Sequence, residues 1–111
     1  GIRLSTRKEH DRMIALTSQL AHVLSSAYVK SPAALSHAGF SAGSFKDMTR
    51  VARLNEDMWT ELFFDNKPAL LEEIEGLIDR LEAYAQALCQ DDRKAMRDLL
   101  REGRERKEIV G

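Results

Sequence analysis

The 111-residue sequence has little that would tie it to a disulfide, a nucleic acid or a membrane. Its single cysteine, Cys89, has no partner for a disulfide or for a two-cysteine zinc motif. With 17 basic and 18 acidic residues its net charge is −1, so no global field attracts nucleic acid. The longest uncharged stretch, Met13 to Val29, is interrupted by Thr, Ser, Gln and His, and no apolar run of a signal peptide follows the N-terminus. These absences predict a cytoplasmic protein with no nucleic-acid or membrane partner.

Proline and glycine are also scarce, with two prolines and six glycines in the whole chain. Valine and isoleucine are few and nowhere alternate with polar residues over the length of a strand. Helix-forming Ala, Leu, Glu, Arg and Lys dominate instead. Hydrophobic residues make up 43% and charged residues 32%, a balance typical of a globular domain rather than a disordered chain. The sequence therefore predicts one all-α domain over residues 1–111.

Apolar periodicity and capping residues predict a bundle of about five helices. The first helix is expected to bury one apolar stripe, made of Met13, Leu16, Leu20, Val23, Leu24 and Ala27. The predicted N-caps are polar residues that precede apolar runs, namely Thr6, Ser44, Asn55 and Asp91. The predicted segments run from about Thr6 to Ser31, from Phe45 to Leu54, from Glu56 to the break at Asn66, from Pro68 to about Gln90, and from Asp92 to about Glu108.

The segment from Pro68 to Gln90 has the clearest periodicity in the chain. One apolar row steps by four and three residues through Leu70, Ile74, Leu77, Leu81, Tyr84 and Leu88. A second row beside it holds Leu71, Ile78 and Ala85. Two apolar rows require neighbours on two sides of the helix, which a chain of this length has difficulty supplying by itself. The pattern therefore predicts an oligomer.

A loop rich in small residues, 32–43, precedes the predicted short helix that carries Arg50. The loop is expected to contain at most one helical turn, and its Gly39 and Gly43 would let the backbone approach a ligand closely. An arginine just beyond such a loop suits a carboxylate, which it can bind through two parallel hydrogen bonds. Asp47 lies three residues before Arg50, so a local surface ion pair is the alternative. The residues alone leave both interpretations open.

Two histidines lie on the first predicted helix, but they cannot share a metal ion. His10 and His22 are separated by about 120° around the helix axis and by roughly 18 Å along it. Ser18 lies one turn before His22 and could satisfy it as an ordinary core histidine. Trp59 is more typical of a core anchor than of a ligand contact. No HExxH, no nucleophile beside a base and no glycine-rich phosphate loop occurs, so the residues predict neither a metal site nor a catalytic group.

Two blocks of the sequence resemble the C-terminal domain of prephenate dehydrogenases, the enzymes of tyrosine biosynthesis. The first block is HDRMIALTSQLAH, from His10 to His22, where the family pattern begins with HD and ends with SHLPH. The second is GSFKDMTRVARLNEDMWTELFFDNK, from Gly43 to Lys67, where the family has GGF(K/R)DxTR(I/V)A and a tail like MWxDIFxxNK. The blocks follow in the same order and at a plausible interval, and the likeness covers about residues 5–105.

The resemblance implies a role for several residues of this chain. Arg50 would anchor a substrate carboxylate, and His22 would make a polar contact to the substrate. His10, Gly43 and Trp59 would line or brace the cleft. The chain departs from the family pattern at three positions, where Gln19 replaces a histidine, Ala21 a proline and Ser44 a glycine.

The same resemblance implies the reaction and its partners. Prephenate loses CO2 as hydride passes to NAD or NADP, and the ring becomes that of 4-hydroxyphenylpyruvate. An N-terminal Rossmann domain, which this sequence does not contain, would bind the cofactor and supply the catalytic histidine. The present domain would be an all-α bundle like the C-terminal domain of 6-phosphogluconate dehydrogenase. It would form a homodimer and bind prephenate, 4-hydroxyphenylpyruvate or tyrosine, with no cofactor and no activity of its own.

Two alternatives remain at the level of the sequence. Arogenate dehydrogenases share the architecture and recognise an amino group in place of the keto group. A helical dimerisation module without any ligand would explain the apolar rows equally well, and Arg50 would then only pair with Asp47 on the surface.

Overall fold

The protein's structure, a computed structural model, describes residues 6–35 and 43–111, and every regular element in these ranges is helical. The elements are α1 (Arg7–Ile14), a π-helical segment (Ala15–Gln19), α2 (Leu20–Val29), α3 (Pro32–Leu35), α4 (Gly43–Thr49), a 3-10 turn (Arg50–Ala52), α5 (Glu56–Asp65), α6 (Lys67–Cys89) and α7 (Arg93–Val110). The prediction of an all-α fold is confirmed. The loop residues Gly39 and Ser41 lie outside the described ranges, and none of the described helices is long and apolar enough to cross a membrane.

The chain divides into two compact units, residues 1–74 and residues 75–111, with the boundary inside α6. In the first unit, α2 packs against α4 and against the 3-10 turn. Among the described residues of this unit the buried apolar side chains are Ala15, Leu20 and Leu70, and two polar residues, Gln19 and Ser25, are buried with them. The second unit holds the C-terminal part of α6 and all of α7, and its buried apolar residue is Ala87.

The first predicted helix is not continuous, because a π-helical segment separates α1 from α2. A π turn contains one more residue than an α turn, so it rotates the following residues around the helix axis. The predicted apolar stripe is therefore wrong in part: Met13 and Leu16 are 55% and 49% exposed, whereas Ala15 and Gln19 are buried. Leu20 is buried as predicted.

Two of the predicted helix caps are confirmed by hydrogen bonds. The Thr6 hydroxyl accepts from the Glu9 backbone N–H at 3.1 Å, and the Asn55 carboxamide oxygen accepts from the Met58 N–H at 3.0 Å. Ser44 is not a cap, because α4 already begins at Gly43. Each confirmed cap satisfies a backbone donor that has no partner within its own helix.

The cap predicted at Asp91 is wrong by one residue. Asp91 has φ of 52°, and its N–H donates to the Leu88 carbonyl while the Asp92 N–H reaches back to the Ala87 carbonyl. These are the two hydrogen bonds that close a helix C-terminus through a left-handed residue. Asp91 is therefore used in ending α6, and the Asp92 carboxylate caps α7 by accepting from the Ala95 N–H at 2.9 Å.

Much of the apolar surface of α6 and α7 is exposed. Pro68 stands in the first turn of α6 as predicted. Along α6, Ile78, Leu81 and Leu88 are 48%, 52% and 69% exposed. On α7, Leu100 is 60% exposed. The second unit thus leaves an apolar face uncovered in the single chain.

Candidate functional site

The central feature of the first unit is a pair of stacked rings carried by α2 and α5. The His22 imidazole lies against the Trp59 indole with ring centroids 3.9 Å apart and an interplanar angle of 24°. Both side chains are half-buried, so one part of each remains open to solvent. Phe63, one turn after Trp59, touches the indole at a centroid distance of 5.7 Å and a tilt of 54°. Offset and tilted contacts of this kind are the arrangements that aromatic rings prefer.

A hydrogen bond to the backbone fixes the tautomer of His22. Its Nδ1 lies 2.9 Å from the carbonyl oxygen of Ser18. A carbonyl oxygen only accepts, so Nδ1 carries the hydrogen and, in the neutral ring, Nε2 keeps its lone pair. Ser18 is therefore the partner that the sequence predicted, but through its carbonyl oxygen and not through its hydroxyl. The Nε2 atom has no hydrogen-bond partner among residues 6–35 and 43–111, which leaves it available to a ligand.

Arg50 opens the 3-10 turn that packs against α2, the helix of His22. The end of α4 is positioned by the Thr49 hydroxyl, which donates to the Phe45 carbonyl at 2.9 Å, and by a contact of the Phe45 and Tyr28 rings at 5.4 Å. The Arg50 side chain is exposed, and no carboxylate in the described part of the chain pairs with its guanidinium. The local ion pair with Asp47 is thus not formed there, and the cation is free for an external anion.

The other two predicted site residues stand apart from the stack. His10 is exposed on α1, and its side chain makes no hydrogen bond or ring contact with any residue that the structure describes. Gly43 is the first residue of α4, and a Cβ added there would meet no atom within 4 Å. The open space beside Gly43 leaves room for a ligand, while the fold itself does not require a glycine at this position.

Two polar residues near the stack were not predicted as part of the site. Gln19 is only 4% exposed, and its Nε2 donates to the Leu62 carbonyl at 3.1 Å. Its Oε1 accepts from Asn66 Nδ2 at 2.8 Å, and the same Asn66 nitrogen lies 2.9 Å from the carbonyl oxygen of Asp11. The only feature of the local sequence that pointed to these contacts was a glutamine within a largely apolar stretch. Its partners are 43 and 47 residues away, so spacing along the chain could not reveal them.

The arrangement offers a cation, an aromatic surface and an imidazole nitrogen, which suit a ligand with a carboxylate and a ring. No cluster of three or more His, Cys, Asp or Glu in the described ranges could hold a metal ion. Those ranges also contain no strand, and therefore no strand–turn–helix cradle for a dinucleotide. The chemistry available to the site is binding and orientation.

Comparison of the sequence with known proteins gives two curated relatives. The chain is 35% identical over 98 residues to the cyclohexadienyl dehydrogenase of Zymomonas mobilis, an alignment that covers 82% of this chain and 33% of that protein. It is 31% identical over 104 residues to the prephenate dehydrogenase of Lactococcus lactis, which covers 87% of this chain and 29% of that protein. The chain thus spans about a third of the length of these relatives.

Two solved structures share the fold over the whole chain. The arogenate dehydrogenase of Synechocystis superposes with a TM-score of 0.86 at 19% identity and matches over 42% of its own length. The prephenate dehydrogenase of A. aeolicus, solved with hydroxyphenyl propionate and NAD+, superposes with a TM-score of 0.83 at 22% identity, over 41% of its length. At these identities the likeness shows the fold alone.

The family model of the prephenate dehydrogenase dimerization domain matches residues 6–102. This match covers most of the chain and includes both sequence blocks from which the resemblance was inferred. The chain belongs to the prephenate dehydrogenase dimerization-domain family.

Proposed function

We propose that this chain is the substrate-binding and dimer-forming C-terminal domain of an NAD(P)-dependent prephenate dehydrogenase. The complete enzyme would oxidise and decarboxylate prephenate to 4-hydroxyphenylpyruvate. This chain would supply no catalytic residue and would have no activity alone. The observation that carries the proposal is the Arg50 guanidinium, which pairs with no described carboxylate and lies on a turn that packs against the His22 helix, within a domain of this family.

Arg50 is proposed to bind a carboxylate of the substrate. Prephenate is a dianion, and a planar guanidinium can bind one carboxylate through two parallel N–H···O bonds. Because the 3-10 turn that holds Arg50 is packed on α2, the cation is presented from an ordered element. Fixing the substrate in one orientation is a substantial part of catalysis, although it transfers no proton.

His22 and Trp59 are proposed to contact the ring end of the substrate. The Nε2 of His22, which has no partner among the described residues, can accept a hydrogen bond from a hydroxyl group, and the Ser18 carbonyl and the stacked indole hold the ring in position. Gly43 would allow close approach of the backbone, because the space beside its Cα is open. His10 would contribute at the edge of the cleft, since no contact joins it to the stack within the described residues.

The nicotinamide cofactor is assigned to another part of the complete enzyme. A structural neighbour was solved with NAD+, but the described ranges of this chain contain no strand from which a dinucleotide cradle could be built. The described residues of this domain therefore do not fit the cofactor, which we propose to bind elsewhere in the complete enzyme.

Arogenate is the alternative substrate, and it differs from prephenate by an amino group in place of a keto group. A fold neighbour is an arogenate dehydrogenase, and a curated relative is a cyclohexadienyl dehydrogenase. Both candidate substrates share the carboxylate that Arg50 would bind. We propose prephenate as the substrate because the matching family model is that of the prephenate dehydrogenase dimerization domain.

The test of this proposal is Arg50→Gln in the complete enzyme, assayed with prephenate and with arogenate. Loss of a charge-assisted hydrogen-bonded pair costs about 1.5–3 kcal/mol, so we expect KM to rise roughly tenfold to a hundredfold. Arg53→Gln is the matched control, since Arg53 is an exposed arginine three residues further along. An unchanged KM in Arg50→Gln, or an equal effect in the control, would refute the assignment of Arg50.

A further inference from the structure

Two amide side chains, the buried Gln19 and the half-buried Asn66, link α5 to the π-helical segment that leads into α2. The Gln19 amide donates to the Leu62 carbonyl on α5 and accepts from Asn66, the residue that follows α5. Asn66 in turn approaches the Asp11 carbonyl on α1 at 2.9 Å. The carboxamides of Gln19 and Asn66 therefore connect the N-terminal helices to both the last turn and the end of α5.

The positions of these contacts relative to the stack follow from helical spacing. Gln19 precedes His22 by three residues, and Leu62 follows Trp59 by three residues. Residues three apart lie on the same side of a helix, about 4.5 Å apart along its axis. The amide contact thus joins α5 to the end of the π-helical segment, and the ring contact joins α5 to α2 about one turn further along.

Two separate contacts restrict the rotation of α5 relative to the elements it packs against, whereas one contact does not. Two helices that touch at a single pair of side chains can still rotate about that point. A second contact one turn away restricts the rotation, and the hydrogen bonds of a carboxamide are directional. Gln19 is also the last residue of the π-helical segment, and such segments rotate the residues that follow them around the helix axis.

We propose that Gln19 and Asn66 are positioning residues, which set the orientation of the Trp59 indole on the His22 imidazole. They touch no substrate themselves. Only the consequence for ligand binding rests on the proposed function; the effect on the stack is a property of the folded chain. Because Gln19 is 4% exposed and each of its two polar atoms has a partner, its removal would change the geometry at the stack directly.

The experiment uses the ring current of Trp59, which is the single tryptophan of the 111-residue chain. A stacked indole moves the His22 ring-proton resonances upfield, and the same resonances in a Trp59→Leu variant provide the zero point. We would measure this displacement by NMR in Gln19→Met, which keeps the length of the side chain and removes its amide. Asn66→Leu is the second variant. Gln90→Met is the matched control, because the Gln90 amide is exposed and bonds the Gln86 side chain.

We expect the upfield displacement to fall by half or more in both amide variants and to be retained in Gln90→Met, with the helical far-UV circular dichroism unchanged. A role limited to stability would leave the displacement of the folded molecules intact, so a smaller loss in both amide variants overturns the proposal. Unfolding of both variants also overturns it, since the pair would then be a requirement for folding. The measurement needs no substrate, so its outcome is separate from that of the Arg50 assay.

Discussion

The imidazole of His22 and the indole of Trp59 are in van der Waals contact, with centroids 3.9 Å apart. The two residues are 37 positions apart in the sequence (59 − 22). Their contact requires α5 to fold back on α2, and it places a polar nitrogen at the edge of an aromatic surface. The contribution of this contact to the free energy of unfolding can be measured in the absence of any ligand.

We expect His22→Leu and Trp59→Leu to be non-additive. A favourable aromatic pair contributes about 0.5–1.5 kcal/mol beyond the area that it buries, so a double-mutant cycle should give a coupling of that size. The measurement is urea denaturation of the four proteins at one fixed protein concentration. The Tyr28–Phe45 pair, at 5.4 Å, gives a second cycle for comparison. Additive effects of His22→Leu and Trp59→Leu would show that the stack contributes no energy of its own.

Ser25 is 1% exposed, and its buried hydroxyl has no hydrogen-bond partner among residues 6–35 and 43–111. Burying an unpaired hydroxyl costs about 1–3 kcal/mol in proteins. Ser25→Ala removes that cost and leaves only a small void, so we expect the free energy of unfolding to rise by about 1 kcal/mol. Thr17→Ala is the control, because the Thr17 hydroxyl is exposed and donates to the Met13 carbonyl. A lower free energy of unfolding in Ser25→Ala would mean that the hydroxyl makes a stabilising contact.

Asp98 lies on the exposed side of α7, where its pKa is lowered below 3.8 by the hydrogen bond from Lys94, and further by the charges of Lys94 and Arg101. A lowered folded-state pKa means that the ionised carboxylate stabilises the helix above its unfolded-state pKa. This contribution is lost as the pH falls below 3.8 through the folded-state value. We therefore expect Lys94→Gln to raise the Asp98 midpoint in an NMR titration.

Arg97→Gln is the control for this titration, because Arg97 is adjacent to Asp98 and forms no ion pair with any described residue. It should move the midpoint less than Lys94→Gln does. If the two substitutions have equal effects, the general positive charge of α7 rather than the Lys94 hydrogen bond lowers the pKa of Asp98.

The exposed apolar face of α6, defined by Ile78, Leu81 and Leu88, is proposed to be covered by a second copy of the chain. These side chains are 48–69% exposed. In a member of a dimerization-domain family, an exposed apolar surface of this kind is expected to form the interface. We expect light scattering to give about twice the chain mass of 12.6 kDa. Ile78→Glu should give the monomer mass, while Asp79→Asn, on the neighbouring polar position, should leave the dimer intact. A monomeric wild-type chain at all concentrations would contradict the dimer.

Local chemistry was enough to locate most of the helices. The capping side chains of Thr6 and Asn55 lie three residues from the N–H groups that they satisfy, and Pro68 marks the start of α6 within a single turn. The two motif blocks were likewise readable in the sequence, and the family match confirms them. The roles of Arg50, His22, His10, Trp59 and Gly43 at the ligand stay predictions.

Some features near the site could not be predicted because competing local structures fit the same residues. Asp91 and Asp92 are both suitable caps, and only the left-handed backbone at Asp91 that ends α6 decides which one begins α7. The Ser18 hydroxyl and carbonyl are both within one turn of His22, and the orientation of the ring selects the carbonyl.

The sequence by itself determined the helical class, the caps at Thr6 and Asn55 and the family, because each of these depends on residues within a few positions of one another or on a pattern along the chain. Only the tertiary structure decided the π-helical segment, the burial of Gln19 and the stacking of His22 on Trp59. Gln19 bonds Leu62 and Asn66 across separations of 43 and 47 residues, and such partners are chosen by how the helices pack. Gln19 lies within a largely apolar stretch and is buried there because folding brings the Leu62 carbonyl and the Asn66 amide to it. No local propensity encodes that arrangement.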